Sequence, residues 1–160
     1  MRYAMGMSVI RTVPFAEAKD NFSGLMSRVV REHLPQIVER SRGQESMLVL
    51  PAADMSAALA ACRLDAKVQF GERSVVATLP QFGLVASGET FESAMDALLS
   101  ELAEYAEDFF TDFDFYRHTD RIRDLPWLLR FVLTPAADRA TLLVEEPATP
   151  APEVAVAAGS

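Results

Sequence analysis

The spacing of apolar side chains changes several times along this chain, and each change marks an element. Ser8 to Val13 alternates as a short strand does, and Pro14 suits a first helical turn, where no backbone donor is lost. Phe15, Ala18, Phe22, Leu25, Met26, Val29 and Val30 follow at helical spacing. They predict one helix over about residues 15–33, stopped by Pro35. Gln36 to Arg40 and Ser46 to Leu50 are extended runs around Arg42-Gly43-Gln44, a turn in which Gly supplies a positive φ. Pro51 then opens a helix carrying Met55, Ala58 and Leu59 on one side.

Beyond a junction near Ala61–Asp65 the pattern restarts. Ala66 to Phe70, Arg73 to Leu79 and Phe82 to Ser87 read as a three-strand meander, broken at Gly71-Glu72 and Pro80-Gln81. Thr90 is placed to cap a helix, with Glu92 in its first turn. Phe91, Ala94, Met95, Leu98, Leu102, Tyr105, Ala106 and Phe109 carry that helix for roughly five turns. Trp127 to Leu133 reads as a fourth strand, and the Pro/Ala-rich tail 145–160 as a disordered tether. The expected fold class is α+β in two small domains: residues 1–61 as β-α-β-β-α and residues 66–134 as β-β-β-α-β. A domain of ~50–60 residues buries little surface, so the Phe22/Met26 region of the first calls for a homodimer or higher even oligomer.

Charge qualifies this picture. Residues 1–50 carry seven Lys+Arg against five Asp+Glu, and residues 101–160 carry five against twelve, within a net charge of −8. Such a chain cannot attract nucleic acid by its overall field, so any contact must come from a local cationic face in the first domain. Cys62 is the only cysteine and reads as a small buried apolar residue in a reducing cytoplasm. No apolar run approaches the ~20 residues of a membrane span, and no signal-peptide pattern occurs, so a soluble cytoplasmic protein is expected.

The segment RTVPFAEAKDNFSGLM, the Glu17-Ala18-Lys19 step, His33-x-Pro35 and the strand ending at Arg40 resemble the YefM branch of the Phd/YefM antitoxins. That resemblance implies a DNA-binding, toxin-neutralising, dimeric protein, with Arg11, Lys19 and Arg40 at the operator. Their cationic groups would pair with phosphates, and an Arg at suitable depth could read guanine. Arg28 and Arg31 would add charge nearby. Lys stands at 19 where the family commonly has Arg, and it cannot make the two-pronged contact of a guanidinium. Solvated surface charge is the alternative for Arg11 and Lys19 and the favoured reading for Arg28 and Arg31.

PQFGLVASGETFESAMDALLSELAEYAEDF, with its meander and long helix, resembles the HicB-like antitoxin domains, a reduced RNase H-like fold. Glu101, Glu104, Glu107, Asp108, Asp112 and Asp114 invite a metal-nuclease reading, yet most lie along one helix away from its apolar stripe, which describes a solvated face. His33 and His118 sit in no nucleophile or zinc pattern, His33 suits a helix C-terminus, and G-x-S-x-G is absent. No enzyme activity, cofactor or metal is expected. Phe109, Phe110, Phe113, Phe115, Tyr116 and Trp127 form the densest aromatic group. Phe109 and Trp127 suit a core, whereas Phe110, Phe113, Phe115 and Tyr116 are candidates for binding a basic, ribonuclease-type cognate toxin. Together the two resemblances imply a type II antitoxin that neutralises its toxin by direct binding and represses its own operon as a dimer. The alternative is an interaction module that keeps these folds without binding DNA.

Overall fold

In a computed structural model of the chain, which describes residues 10–145, the chain divides between Ala61 and Cys62 into two compact units, each around its own three-stranded sheet. The first unit holds β1 (Arg11–Pro14), β2 (Gln36–Arg40) and β3 (Glu45–Val49), with β2 central. β1 runs parallel to β2, setting Val13 opposite Val38, and β3 runs antiparallel, setting Met47 opposite Val38. Val13, Val38, Ala18, Leu25 and Val29 form the small buried core. At the hairpin tip Ser41, Arg42 and Gly43 all take positive φ, so the turn is wider than one glycine alone would make it.

The single helix expected over residues 15–33 is in fact two, α1 (Phe15–Asp20) and α2 (Phe22–Arg31). Asn21 leaves helical geometry at φ −128° and ψ 52°, and its Oδ1 accepts from the Gly24 N–H at 3.1 Å. A short polar side chain that satisfies the next helix's orphan donor competes successfully with helix continuation. The break reorients the apolar stripe: Ala18, Leu25 and Val29 are buried, while Phe15, Phe22, Met26 and Val30 stay exposed. His33 lies past the C-cap of α2 with φ 52°, and its Nδ1 is 3.2 Å from Asp54 Oδ2 in α3 (Ala52–Ala58). It therefore ties two helices together.

In the second unit β4 (Lys67–Phe70), β5 (Val75–Leu79) and β6 (Leu84–Gly88) form the expected antiparallel meander. α4 (Phe91–Thr111) packs on it through Ala94, Leu98, Leu102, Ala106 and Phe109, all buried. Thr90 caps α4 as expected: its Oγ1 accepts from the Ser93 N–H at 3.1 Å, while the Thr90 N–H donates to Ser93 Oγ at 3.0 Å.

The expected fourth strand, Trp127 to Leu133, is a helix instead. It belongs to α6 (Leu125–Leu133), which follows α5 (Phe113–Tyr116) and a 3-10 turn over Asp120–Asp124. A short, wholly apolar run fits a buried strand or a buried helix equally by period. Here Pro126 near the helix start and Pro135 past its end frame one helix, and Leu128 and Phe131, three residues apart, turn into the core. The β-β-β-α-β order therefore loses its last strand. A further 3-10 segment, Ala136–Leu143, adds Leu142 and Leu143 to the core. The tail lies outside the described residues, apart from its first residue, Glu145.

Two polar locks hold the helical end of this unit. Tyr105 Oη donates to the buried Asp124 carboxylate at 2.7 Å, and Arg121 reaches the same oxygen at 3.5 Å. Burial, then the hydrogen bond to Asp124, raises the Tyr105 pKa above its ordinary value. Arg130, whose side chain is 11% exposed, forms a two-pronged pair with Glu145 at 2.6 and 3.0 Å and also donates to the Cys62 carbonyl at 3.1 Å. Arg63 donates to the Glu145 carbonyl. Cys62 itself is half-buried.

Candidate functional site

The cationic candidates of the first unit do not form one patch. Arg11 begins β1 opposite Gln36, whereas Arg40 ends β2 just past the residue opposite Pro14. Four strand steps, about 13 Å, separate the two ends. Each arginine already holds a carboxylate: Arg11 Nη2 is 3.0 Å from Glu17 Oε1, and Arg40 Nε is 2.5 Å from Glu45 Oε2, its directly opposed cross-strand neighbour. The Arg40 guanidinium also lies 5.7 Å from the centre of the Phe15 ring. Lys19, one helical turn after Phe15, is exposed and has no ion pair among the described residues.

Arg28 and Arg31 occupy the last turn of α2, where the helix dipole favours them without any ligand. Arg28 is half-buried with an unpartnered Nε, and Arg31 is exposed. Sequence spacing did not single out Arg42, which shares a shallow hollow with Phe15 and Arg40 beside the hairpin tip. Nor did it reveal Glu17 and Glu45 as partners. The Arg40–Glu45 pair was discoverable, because a hairpin register sets those residues face to face. Between Ile10 and Ala61 six Lys+Arg balance six Asp+Glu.

The aromatic candidates of the second unit divide sharply. Phe109, fully buried, is the hub, with ring centres 5.4 Å from Phe110, 5.6 Å from Phe113 and 5.1 Å from Tyr116. Phe110, Phe113 and Tyr116 are thus half-buried supports of the core, as is Trp127, and only Phe115, 60% exposed, projects. Glu101, Glu104, Glu107 and Asp108 face solvent on α4, as do Glu92 and Asp96. Among the described residues no three His, Cys, Asp or Glu side chains converge to hold a metal ion. No helix there is long and apolar enough to cross a membrane.

Residues 7–146 match a PHD-like family described as the antitoxin of RelE/RelB toxin–antitoxin systems. No curated protein matches the chain. It is similar to a crystal structure from Syntrophomonas wolfei subsp. wolfei, at 1.80 Å, of the antitoxin part of a candidate toxin/antitoxin system. The TM-score is 0.74 at 25% sequence identity, over 82% of this chain and 95% of that one. One family therefore spans what the sequence read as two separate antitoxin-like halves. With most of its length inside that match, the chain belongs to this PHD-like family of toxin–antitoxin antitoxins.

Proposed function

We propose that this antitoxin neutralises a cognate toxin by direct binding and, paired through its first unit, represses its own operon by binding operator DNA. The observation that supports pairing is the ridge left outside the core on α2. Phe22, Met26 and Val30 recur every four residues and are 58, 44 and 48% exposed. Each is already about half out of solvent, so completing its burial is worth about 1 kcal/mol, and two ridges laid together give a dimer a clear driving force. Pairing also doubles the set Arg11, Lys19 and Arg40, which suits a two-fold operator.

Six cations reaching phosphate would give a log–log salt slope of about −5. The test is a titration of the gene's own upstream DNA with the full chain at several salt concentrations. Binding at low salt with such a slope, lost on replacing Arg11 and Lys19 by Ala, supports the operator role; absence of binding at low salt removes it. One observation favours a second reading, an interaction module without DNA contact: Arg11 and Arg40 are already neutralised by Glu17 and Glu45. Such a module would bind its toxin and leave operator DNA unshifted. Both readings are non-catalytic, and Mg²⁺-dependent cleavage of the DNA probe would overturn them.

A further inference from the structure

We propose that the solvent face of α4, with the apolar groove on its flank, is where the second unit docks a basic surface of the cognate toxin. The inference rests on the antitoxin reading above and names the surface that serves it. α4 carries Glu92, Asp96, Glu101, Glu104, Glu107 and Asp108, and not one Lys or Arg in 21 residues. All six carboxylates are exposed, and none forms an ion pair among the described residues. Nearby cations are engaged elsewhere: Arg117, Arg121, Arg123 and Arg130 each hold another acid.

This arrangement works against the free protein. Glu101 and Glu104, Glu104 and Glu107, and Glu104 and Asp108 are like-charge neighbours at three or four residues, which destabilises a helix. Glu107 and Asp108 also stand near the helix C-terminus, where the dipole disfavours anions. A sequence selected for stability alone would place Lys or Arg in that turn. Local conflict of this kind marks a surface shaped for a partner, and the partner must bring positive charge.

A groove of about 540 Å³ is lined by Ala103, Ala106, Phe110 and one of the acids, Glu107, of α4, and by Phe131 and Val132 of α6. Arg139, which also lines it, donates to the Thr134 and Val132 carbonyls and lies 4.7 Å from the centre of the Phe131 ring. The small side chains of Ala103 and Ala106 leave room for an apolar anchor from outside, and the acids beside them would pair with cations flanking that anchor. Nucleic acid and a second α4 are both repelled by the same charges. A basic protein surface bearing an apolar side chain fits both features.

The test is calorimetric titration of the full chain with the toxin encoded beside its gene, recovered from the co-expressed complex by denaturation and refolded. Three variants are compared: Glu104→Gln with Glu107→Gln and Asp108→Asn; Ala103→Trp, which fills the groove; and Glu72→Lys with Glu89→Lys, which alters exposed acids elsewhere in the unit. At about threefold per exposed charge pair the triple variant should bind about thirtyfold more weakly. Ala103→Trp should lose at least about tenfold, and the control should stay within about threefold. The triple variant should also melt no lower than the wild type, since it relieves repulsion. Wild-type binding retained in both the triple variant and Ala103→Trp overturns this surface and leaves the antitoxin reading intact. Failure of the wild type to bind overturns both.

Discussion

Gly88 closes β6 two residues before the cap of α4, and the helix start crosses directly over it. A Cβ on Gly88 would stand 2.2 Å from Ser93 Oγ, 2.5 Å from the Ala94 backbone nitrogen and 2.7 Å from the Ser93 carbonyl carbon. Ser93 Oγ could rotate away, but it would then abandon the Thr90 N–H and open the capping box, at about 1 kcal/mol. The Ala94 nitrogen cannot rotate. The first turn of α4 must lift from the sheet, which costs a further 1–3 kcal/mol or so as overpacking does. Alanine recovers about 0.4–1 kcal/mol through a less flexible unfolded chain.

Gly88→Ala should therefore destabilise the second unit by about 2–3 kcal/mol. For a domain of this size that lowers the melting temperature by roughly 10–20 °C in a circular-dichroism or calorimetric scan. Ser93→Ala isolates the cap and should cost about 1 kcal/mol. Combining the two should not restore Gly88→Ala, because the backbone clash persists. A melting temperature within about 2 °C of the wild type for Gly88→Ala, or rescue by Ser93→Ala, would refute the close approach of α4 to β6. Gly24 is the contrast. There the three atoms nearest an added Cβ all belong to the Asn21 side chain, at 2.5–2.8 Å, which can swing aside. Loss of that cap and gain of about 1 kcal/mol in helix propensity nearly cancel, so Gly24→Ala should leave stability almost unchanged.

Tyr105→Phe removes the strongest contact of a buried carboxylate and should cost about 2–3 kcal/mol in denaturant unfolding, whereas a loss under 0.5 kcal/mol or so would show that Asp124 is satisfied without it. Because the folded-state pKa of Tyr105 is raised, its contribution is complete below the unfolded value of about 10 and declines as pH rises above it; Phe at 105 should flatten that alkaline decline. Arg130→Met frees Glu145 and the Cys62 carbonyl. Glu145 can rehydrate, so about 1–2 kcal/mol is expected, together with faster proteolysis beyond Pro135; unchanged cleavage there would argue against the clamp.

Where sequence alone sufficed, local chemistry and global packing agreed. The β4–β6 meander had turn residues at both breaks, and the α4 stripe had Thr90 before it, so pattern, cap and burial all pointed the same way. The misses lie where one signal overruled another. Phe15 to Val30 keep helical spacing, but the Asn21 side chain ends one helix and starts the next, turning half the stripe to solvent. The run from Trp127 to Leu133 carries no period that separates strand from helix, and the meaning of Pro126 and Pro135 emerges only once Leu142 and Leu143 return to the same core. The cations named from the resemblance were found on the surface or near it, but the Glu17 partner of Arg11 lies six residues away, a separation to which no local rule applies, whereas the Arg40–Glu45 pair follows from the hairpin register.

The clamp at Glu145 has a bearing on how this architecture can be rearranged. Arg130 and Arg63 bring the last described residue of the second unit to its first, so the two ends of its described span, Cys62 and Glu145, are neighbours. A body whose entry and exit adjoin can be spliced into another protein, or exchanged between relatives, without stretching either junction. It can also be cut open elsewhere. A short linker joining the ends, with new termini in the exposed Gly71–Arg73 turn, should give a circular permutant that folds to the same meander and helix.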